Sequence, residues 1–136
     1  MTLRTPDSAF LGLVDYPFKG NYVELSNPGD IGNGRTKLRM HYIDEGNGTS
    51  HETILLLHGE PSWSYLYRHF IPLLKQYRVI AVDLIGFGKS DKPMKKTDYT
   101  YQRHVNWIRE FLEILNLENI TLFCQVCKFR MRKEEK

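Results

Sequence analysis

A chain of 136 residues with 41% hydrophobic and 26% charged side chains has the make-up of one soluble globular domain, which excludes a disordered or fibrous polypeptide. The net charge of +3 is accounted for by residues 126–136, where Lys128, Arg130, Arg132, Lys133 and Lys136 outnumber Glu134 and Glu135, so no basic face for nucleic acid is built into the rest of the chain. The apolar runs at 54–57 and 120–124 are too short to span a bilayer, and the N-terminus has no charged start, apolar stretch and small-residue cleavage site; no nucleic-acid or membrane partner is expected, and the expected location is cytoplasmic.

Residues 1–20 read as irregular, punctuated by Pro6, Pro17 and Gly20. Residues 21–25 fit a short strand, closed by a turn cluster that begins at Ser26. Over 36–43 polarity alternates, with Leu38, Met40 and Tyr42 on one face and Lys37, Arg39 and His41 on the other, which predicts a half-buried strand. Thr53–Leu57, residues 78–84 and Ile120–Cys124 are aliphatic runs without alternation, as in parallel strands covered on both faces. Residues 64–75 carry Leu66, Phe70 and Leu73/Leu74 at helical spacing, and Pro72 should stop or bend that helix. Thr100 fits the N-cap of a second helix through Asn116, with Tyr101, Val105, Ile108, Leu112 and Leu115 as its apolar stripe.

Two strands followed by strand, helix, strand, helix, strand predict an α/β fold with a mostly parallel sheet and crossover helices. Such sheets bind ligands beyond the carboxyl ends of their strands, so chemistry belongs in the loops after Leu57, Leu84 and Cys124. The first loop reads His58-Gly59-Glu60-Pro61: a sharp turn that either aims the Glu60 N–H at a developing oxyanion or simply leads from strand to helix. In the second, Gly88-Lys89-Ser90 looks like the end of a phosphate loop, but position 83 is Asp where that loop needs Gly, and Pro93 follows too closely for a helix; Gly86 and Gly88 are expected to permit close backbone packing. Cys124 and Cys127 are spaced as CxxC with no second ligand pair, so neither a metal nor another cofactor is expected. Asn47-Gly-Thr and Asn119-Ile-Thr are glycosylation sequons that matter only in a secreted protein.

Three longer strings go further: Leu-Leu-Leu-His-Gly-Glu-Pro-Ser-Trp-Ser-Tyr-Leu-Tyr-Arg over 55–68, Ile-Pro-Leu-Leu over 71–74 and Gly-Phe-Gly-Lys-Ser-Asp-Lys-Pro over 86–93. With Arg4-Thr-Pro-Asp, His41-Tyr-Ile-Asp-Glu-Gly and Asn119-Ile-Thr-Leu, they resemble the haloalkane dehalogenases of the α/β-hydrolase superfamily, in the subgroup with Glu in the HGxP turn, from about residue 4 to Gln125. The resemblance implies an aspartate that displaces halide to form an alkyl-enzyme ester, and a histidine, oriented by an acidic residue, that activates water against it. It also implies an oxyanion donor at the Glu60 backbone N–H, structural turn roles for His58, Gly59 and Pro61, a cis Glu60–Pro61 bond, and a small halogenated organic substrate.

The family's strand runs on through Gln-Asp-Trp-Gly-Gly, whereas here Gln125 is followed by Val126-Cys127-Lys128. Val126 stands in the nucleophile's place and Cys127 in that of a halide-binding tryptophan. Residues 1–125 are therefore expected to be a partial α/β-hydrolase core truncated after its fifth strand, with 126–136 an aberrant charged tail, inactive alone. Codons for Gln-Val-Cys-Lys can spell an intron boundary after the glutamine; an uninterrupted exon in the transcript would defeat that explanation. The competing readings are an epoxide hydrolase-like fragment and, from another class, a non-catalytic isoform or interaction module that self-associates through an exposed edge strand.

Overall fold

The structure is a computed structural model and describes residues 2–26 and 37–125. In chain order the elements are β1 (Thr2–Leu3), β2 (Gly20–Leu25), β3 (Leu38–Gly46), β4 (Thr53–Leu57), β5 (Arg78–Val82), β6 (Lys92–Pro93), α1 (Tyr101–Ile114) and β7 (Ile120–Cys124). A five-stranded sheet has the order β2-β3-β5-β4-β7, and β1 pairs separately with β6. The β4 and β7 runs match the sequence reading residue for residue. The charged tail, Val126, Cys127 and most of the turn cluster after Ser26 lie outside the described residues.

The sheet is mixed, not mostly parallel. β4 runs parallel to both β5 and β7, while β2–β3 and β3–β5 are antiparallel. Parallel neighbours require a crossover. The α1 segment supplies one between β5 and β7, and residues 58–77 supply the other between β4 and β5. β2 and β3 come before any crossover in the chain, so they pair locally and antiparallel.

Side-chain alternation in the central strands builds a core on each face of the sheet. Ile80 and Val82 of β5 join Leu38, Met40, Tyr42 and Leu55 beneath Trp107 and Phe111 of α1. Val79 and Ala81 point the other way, with Ile43 and Leu56, against Tyr16, Tyr67 and Ile71. Covering both faces of β3 overturns the half-buried reading of that strand: His41, placed by alternation on the polar face, is 0% exposed.

Residues 64–75 form no α-helix. Two 3-10 turns, Ser64–Tyr67 and Ile71–Leu74, take their place, with Pro72 in the second. Their i→i+3 bonds, Phe70 N–H to Tyr67 O and Leu73 N–H to Phe70 O, are both 3.0 Å or shorter. The tighter winding rotates the buried side to Tyr67 and Ile71 and leaves Leu73 of the expected stripe 75% exposed. The second helix keeps its expected start, with Thr100 Oγ1 accepting from the Arg103 N–H at 3.2 Å. Its buried positions are Trp107 and Phe111, whereas Tyr101 of the expected stripe is 70% exposed.

β7 is covered least. It pairs with β4 on one side, no described residue pairs with its other edge, and Leu122 and Phe123 are 54% and 50% exposed. Its aliphatic run is of the kind that suits a covered strand, but truncation after the fifth strand makes it the expected exposed edge, and among the described residues it stands at the sheet's margin.

Candidate functional site

A cavity of about 670 Å³ opens at the carboxyl ends of β4 and β5, where the strand order predicts a ligand site. Leu57 and the turn His58-Gly59-Glu60 form one wall, Leu84 and Phe87 another, and Tyr99, His104 and Ile108 a third. Apart from the turn and His104 the lining is apolar or phenolic, which suits a small apolar ligand more than a charged one.

The turn is held by its own histidine. A backbone N–H can only donate, so His58 Nε2 accepts from the Leu84 N–H at 2.9 Å, which leaves Nδ1–H to donate to Gly59 O at 3.0 Å. This tautomer ties the end of β4 to the segment after β5 and uses both ring nitrogens. Both bonds of the His58 ring are thus to backbone groups, Gly59 in the turn and Leu84 after β5. Burial is the main cause that lowers its pKa from the ordinary 6.5, against smaller opposing effects of Gly59 O and the Asp83 charge. His104, on the opposite wall, is lowered in the same direction, first by burial and then electrostatically by the neighbouring His58 and the Arg103 guanidinium.

A histidine with a depressed folded-state pKa contributes stability that is complete above about 6.5 and is lost as pH falls through the lower folded value. Thermal melts should show stability declining below about pH 6.5, and His58→Gln should flatten that decline. An unchanged slope in the variant would remove His58 as its source.

After the turn, the Glu60–Pro61 bond is cis, as the resemblance implied, and the Ser62 N–H closes onto Gly59 O at 2.9 Å. The Glu60 N–H makes no hydrogen bond among the described residues. The end of β7 meets this turn: Gln125 N–H donates to Leu57 O at 3.1 Å, and a Cβ on Gly59 would sit 3.3 Å from Gln125 Oε1. Residue 126 follows directly, outside the described residues. The carboxyl end of β7 thus adjoins the turn that carries the unbonded N–H, and the exposed Glu60 is one of the cavity's lining residues.

Behind the site lies a polar core that the sequence reading missed. Asp83, fully buried, receives His41 Nδ1–H, the Ser64 N–H and the Lys89 N–H, each at 2.8 Å. Ser90 Oγ donates to Asp83 O at 2.6 Å and accepts the His41 N–H at 2.8 Å, stitching the loop after β5 to β3. Burial pushes the Asp83 carboxyl up, but the His41 hydrogen bond and charge and the two N–H donors outweigh it, leaving the pKa below the ordinary 3.8. The pair has the bond of a base-orienting carboxylate, yet neither residue lines the cavity and His41 Nε2 is buried without a partner. The pair links β3 to the loop after β5, away from the cavity lining.

Asp83 also explains why Gly88-Lys89-Ser90 is no phosphate loop: its Lys89 N–H already holds a protein carboxylate. Gly88 has φ +47, and a Cβ there would run into Asp83 Oδ2; a Cβ on Gly86, at φ +100, would meet the Tyr99 ring. Both glycines permit close packing beside the site, as expected from sequence. The available signal for the polar core was a charged residue at the end of the otherwise aliphatic run Val79-Ile-Ala-Val-Asp83.

Among the described residues, no group of three or more His, Cys, Asp or Glu is arranged to hold a metal ion, and no helix is long and apolar enough to cross a membrane. Cys124 is a free, exposed thiol at the end of β7.

Comparison with known proteins places these features in a family. The chain is 56% identical over 125 residues to a haloalkane dehalogenase of Psychrobacter cryohalolentis, and 53% identical over the same length to one of Mycobacterium marinum; each match takes in 90% of this chain. It spans 39–40% of the length of these relatives. A tetrameric haloalkane dehalogenase from Paraglaciecola agarilytica superposes with a TM-score of 0.81 and 46% identity, over 92% of this chain and 40% of that one. An epoxide hydrolase from Vigna radiata superposes with a TM-score of 0.65 and 29% identity, over 79% of this chain and 32% of that one. The family model of the alpha/beta hydrolase fold matches residues 52–124, from the start of β4 through the turn and the cavity walls to the end of β7. Since that match covers more than half of the chain and all the strands that converge on the cavity, the chain belongs to the alpha/beta hydrolase fold family.

Proposed function

We propose that this chain forms the oxyanion-turn portion of a hydrolase that cleaves carbon–halogen bonds in small organic molecules, and that the 136-residue polypeptide is inactive by itself. The observation that carries the reading is a turn, lining a largely apolar cavity, whose Glu60 N–H makes no hydrogen bond among the described residues and whose Gly59 packs against Gln125 at the carboxyl end of β7. In the proposed reaction a carboxylate at the position after Gln125 attacks the carbon and halide departs with the bonding electrons, leaving an alkyl ester. Water, deprotonated by a histidine, then adds to the ester carbonyl; the tetrahedral adduct collapses with cleavage of the acyl carbon–oxygen bond, the departing alkoxide takes the proton from the histidine and leaves as the alcohol, and the carboxylate is restored with loss of one proton to solvent. The Glu60 N–H acts in this second step, because only there does negative charge develop on a carbonyl oxygen. Val126 offers no carboxylate, and that substitution supports the inactivity of the chain as it stands. Identity of 53–56% to haloalkane dehalogenases, against 29% to the epoxide hydrolase, favours halide over epoxide as the group displaced.

A chimera tests this: residues 126–136 are replaced by the corresponding remainder of the Psychrobacter relative, which restores Asp at 126. The expected result is halide release from n-butyl bromide by the chimera and none above background by the 136-residue chain. In the chimera, Glu60→Pro removes the N–H and should slow turnover about a hundredfold or more. It should also accumulate the alkyl ester, visible by mass spectrometry, since displacement at carbon does not use the oxyanion donor. Halide release by the purified chain alone, or a folded but inactive chimera, would overturn the proposal.

A second reading, self-association, draws on β7. Its edge, unpaired among the described residues, and the exposed Leu122 and Phe123 favour strand-to-strand pairing between copies. Phe123→Lys should raise the monomer fraction in sedimentation, and an unchanged distribution would count against this edge.

A further inference from the structure

We propose that Asn47 is a site of spontaneous covalent modification, converting to aspartate and isoaspartate through a succinimide, with Thr49 as its built-in oxyanion donor. Asn47 lies in the connection between β3 and β4, at the end of the sheet opposite the cavity, and both Asn47 and Gly48 are exposed. The turn is anchored by the Asn47 N–H to Tyr77 O at 2.9 Å and the Ser50 N–H to Asn47 O at 3.0 Å. Asn47 Oδ1 accepts two bonds, from the Thr49 N–H at 3.1 Å and the Thr49 hydroxyl at 2.8 Å.

Both donors point at the oxygen on which charge builds when a nucleophile attacks Cγ, which is the geometry that stabilises a tetrahedral oxyanion. The nucleophile is next door. The Gly48 N–H makes no hydrogen bond among the described residues, and there is open space where a side chain would obstruct its approach. The other described asparagines, Asn21, Asn106, Asn116 and Asn119, precede Tyr22, Trp107, Leu117 and Ile120, whose bulk hinders the same approach.

The step balances with water as the co-reactant. The Gly48 nitrogen loses its proton to solvent and bonds to Asn47 Cγ; the Cγ–Nδ2 bond breaks, and ammonia leaves with a proton from water. Water then adds to either carbonyl of the ring, giving an aspartyl or an isoaspartyl linkage. Either product adds one negative charge to a turn already flanked by Glu45 and Glu52. The isoaspartyl form also lengthens the backbone by a methylene and breaks the register of the Ser50 bond.

The test is timed incubation of the chain in neutral buffer at physiological temperature, followed by peptide mapping. A second Asn-Gly pair, Asn33-Gly34, lies outside the described residues and is separated by the mapping. Two new species, acidic and slightly heavier, should accumulate at position 47 and be lost in Asn47→Gln. Thr49→Val should slow them about two- to tenfold, the kinetic equivalent of one solvent-exposed hydrogen bond. A free peptide spanning residues 44–52 should react more slowly than the same segment in the chain, which keeps the test independent of how Thr49→Val folds. Absence of the species at position 47, or a peptide that reacts faster than the chain, would overturn the proposal.

Discussion

Asp83→Ala should abolish cooperative unfolding of this chain. The substitution leaves His41 Nδ1–H, the Ser64 N–H and the Lys89 N–H pointing into an apolar hole, each having lost a 2.8 Å bond. Removing one member of a buried, hydrogen-bonded pair costs about 3–5 kcal/mol, because the partners stay desolvated without compensation. A domain with a total stability of about 5–15 kcal/mol has little left after such a loss. Asp83→Asn should fall between the parent and Ala: it keeps a carbonyl acceptor but turns an NH2 group toward one of the donors. Urea titration followed by near-ultraviolet circular dichroism reads both variants. The acid limb carries the same information with a fixed sign. The folded-state pKa of Asp83 lies below 3.8, so its contribution is complete above that value and is lost as pH falls through the folded pKa. An Asp83→Ala chain that melts like the parent would mean that these bonds contribute nothing net.

Trp107→Ala should cost about 3–5 kcal/mol by leaving a cavity in the larger core. Trp107 is 2% exposed and, with Phe111, closes α1 over Val82, Ile85 and Tyr42. The indole also meets the His104 ring edge-on at 5.1 Å between centroids, so it supports one wall of the ligand cavity. Truncation should therefore lower the urea midpoint and weaken binding of an apolar probe in the cavity. Trp107→Phe, which refills part of the volume, should recover much of the midpoint. An unchanged midpoint in Trp107→Ala would show that α1 is not held to the sheet by this side chain.

The strands were the most legible part of the fold, for a reason visible in β4, β5 and β7. Aliphatic runs bounded by turn residues specify extended structure locally; the ladders follow the expected spans of β4 and β7, while β5 ends at Val82, two residues short of its 78–84 run, where Asp83 turns into the polar core. The segment from Ser64 to Leu74 was misread because helical spacing and 3-10 spacing diverge by less than one residue per turn. Only the fit of Tyr67 and Ile71 onto β4 and β5 selects the tighter winding. In the site, the turn at 58–61 was legible because a histidine, a glycine and a proline in succession constrain the chain whatever surrounds them. Asp83 and His41 were not: alternation in β3 assigns His41 to a polar face, and a carboxylate arriving from another strand makes that face a sealed core.

By itself the sequence determined the chain order of the five strands of the main sheet, the position of the turn after β4, the helix start at Thr100 and the likeness to halide-cleaving hydrolases. Each of these depends on residues adjacent in the chain or on spacing within one element. The tertiary structure alone decided the mixed pairing of the sheet, the separate β1–β6 pair, the burial of His41 on Asp83 and the convergence of Gln125 on the Glu60 turn. These depend on which surfaces meet, and contact between residues distant in sequence follows from the packing of the whole sheet, not from any local pattern.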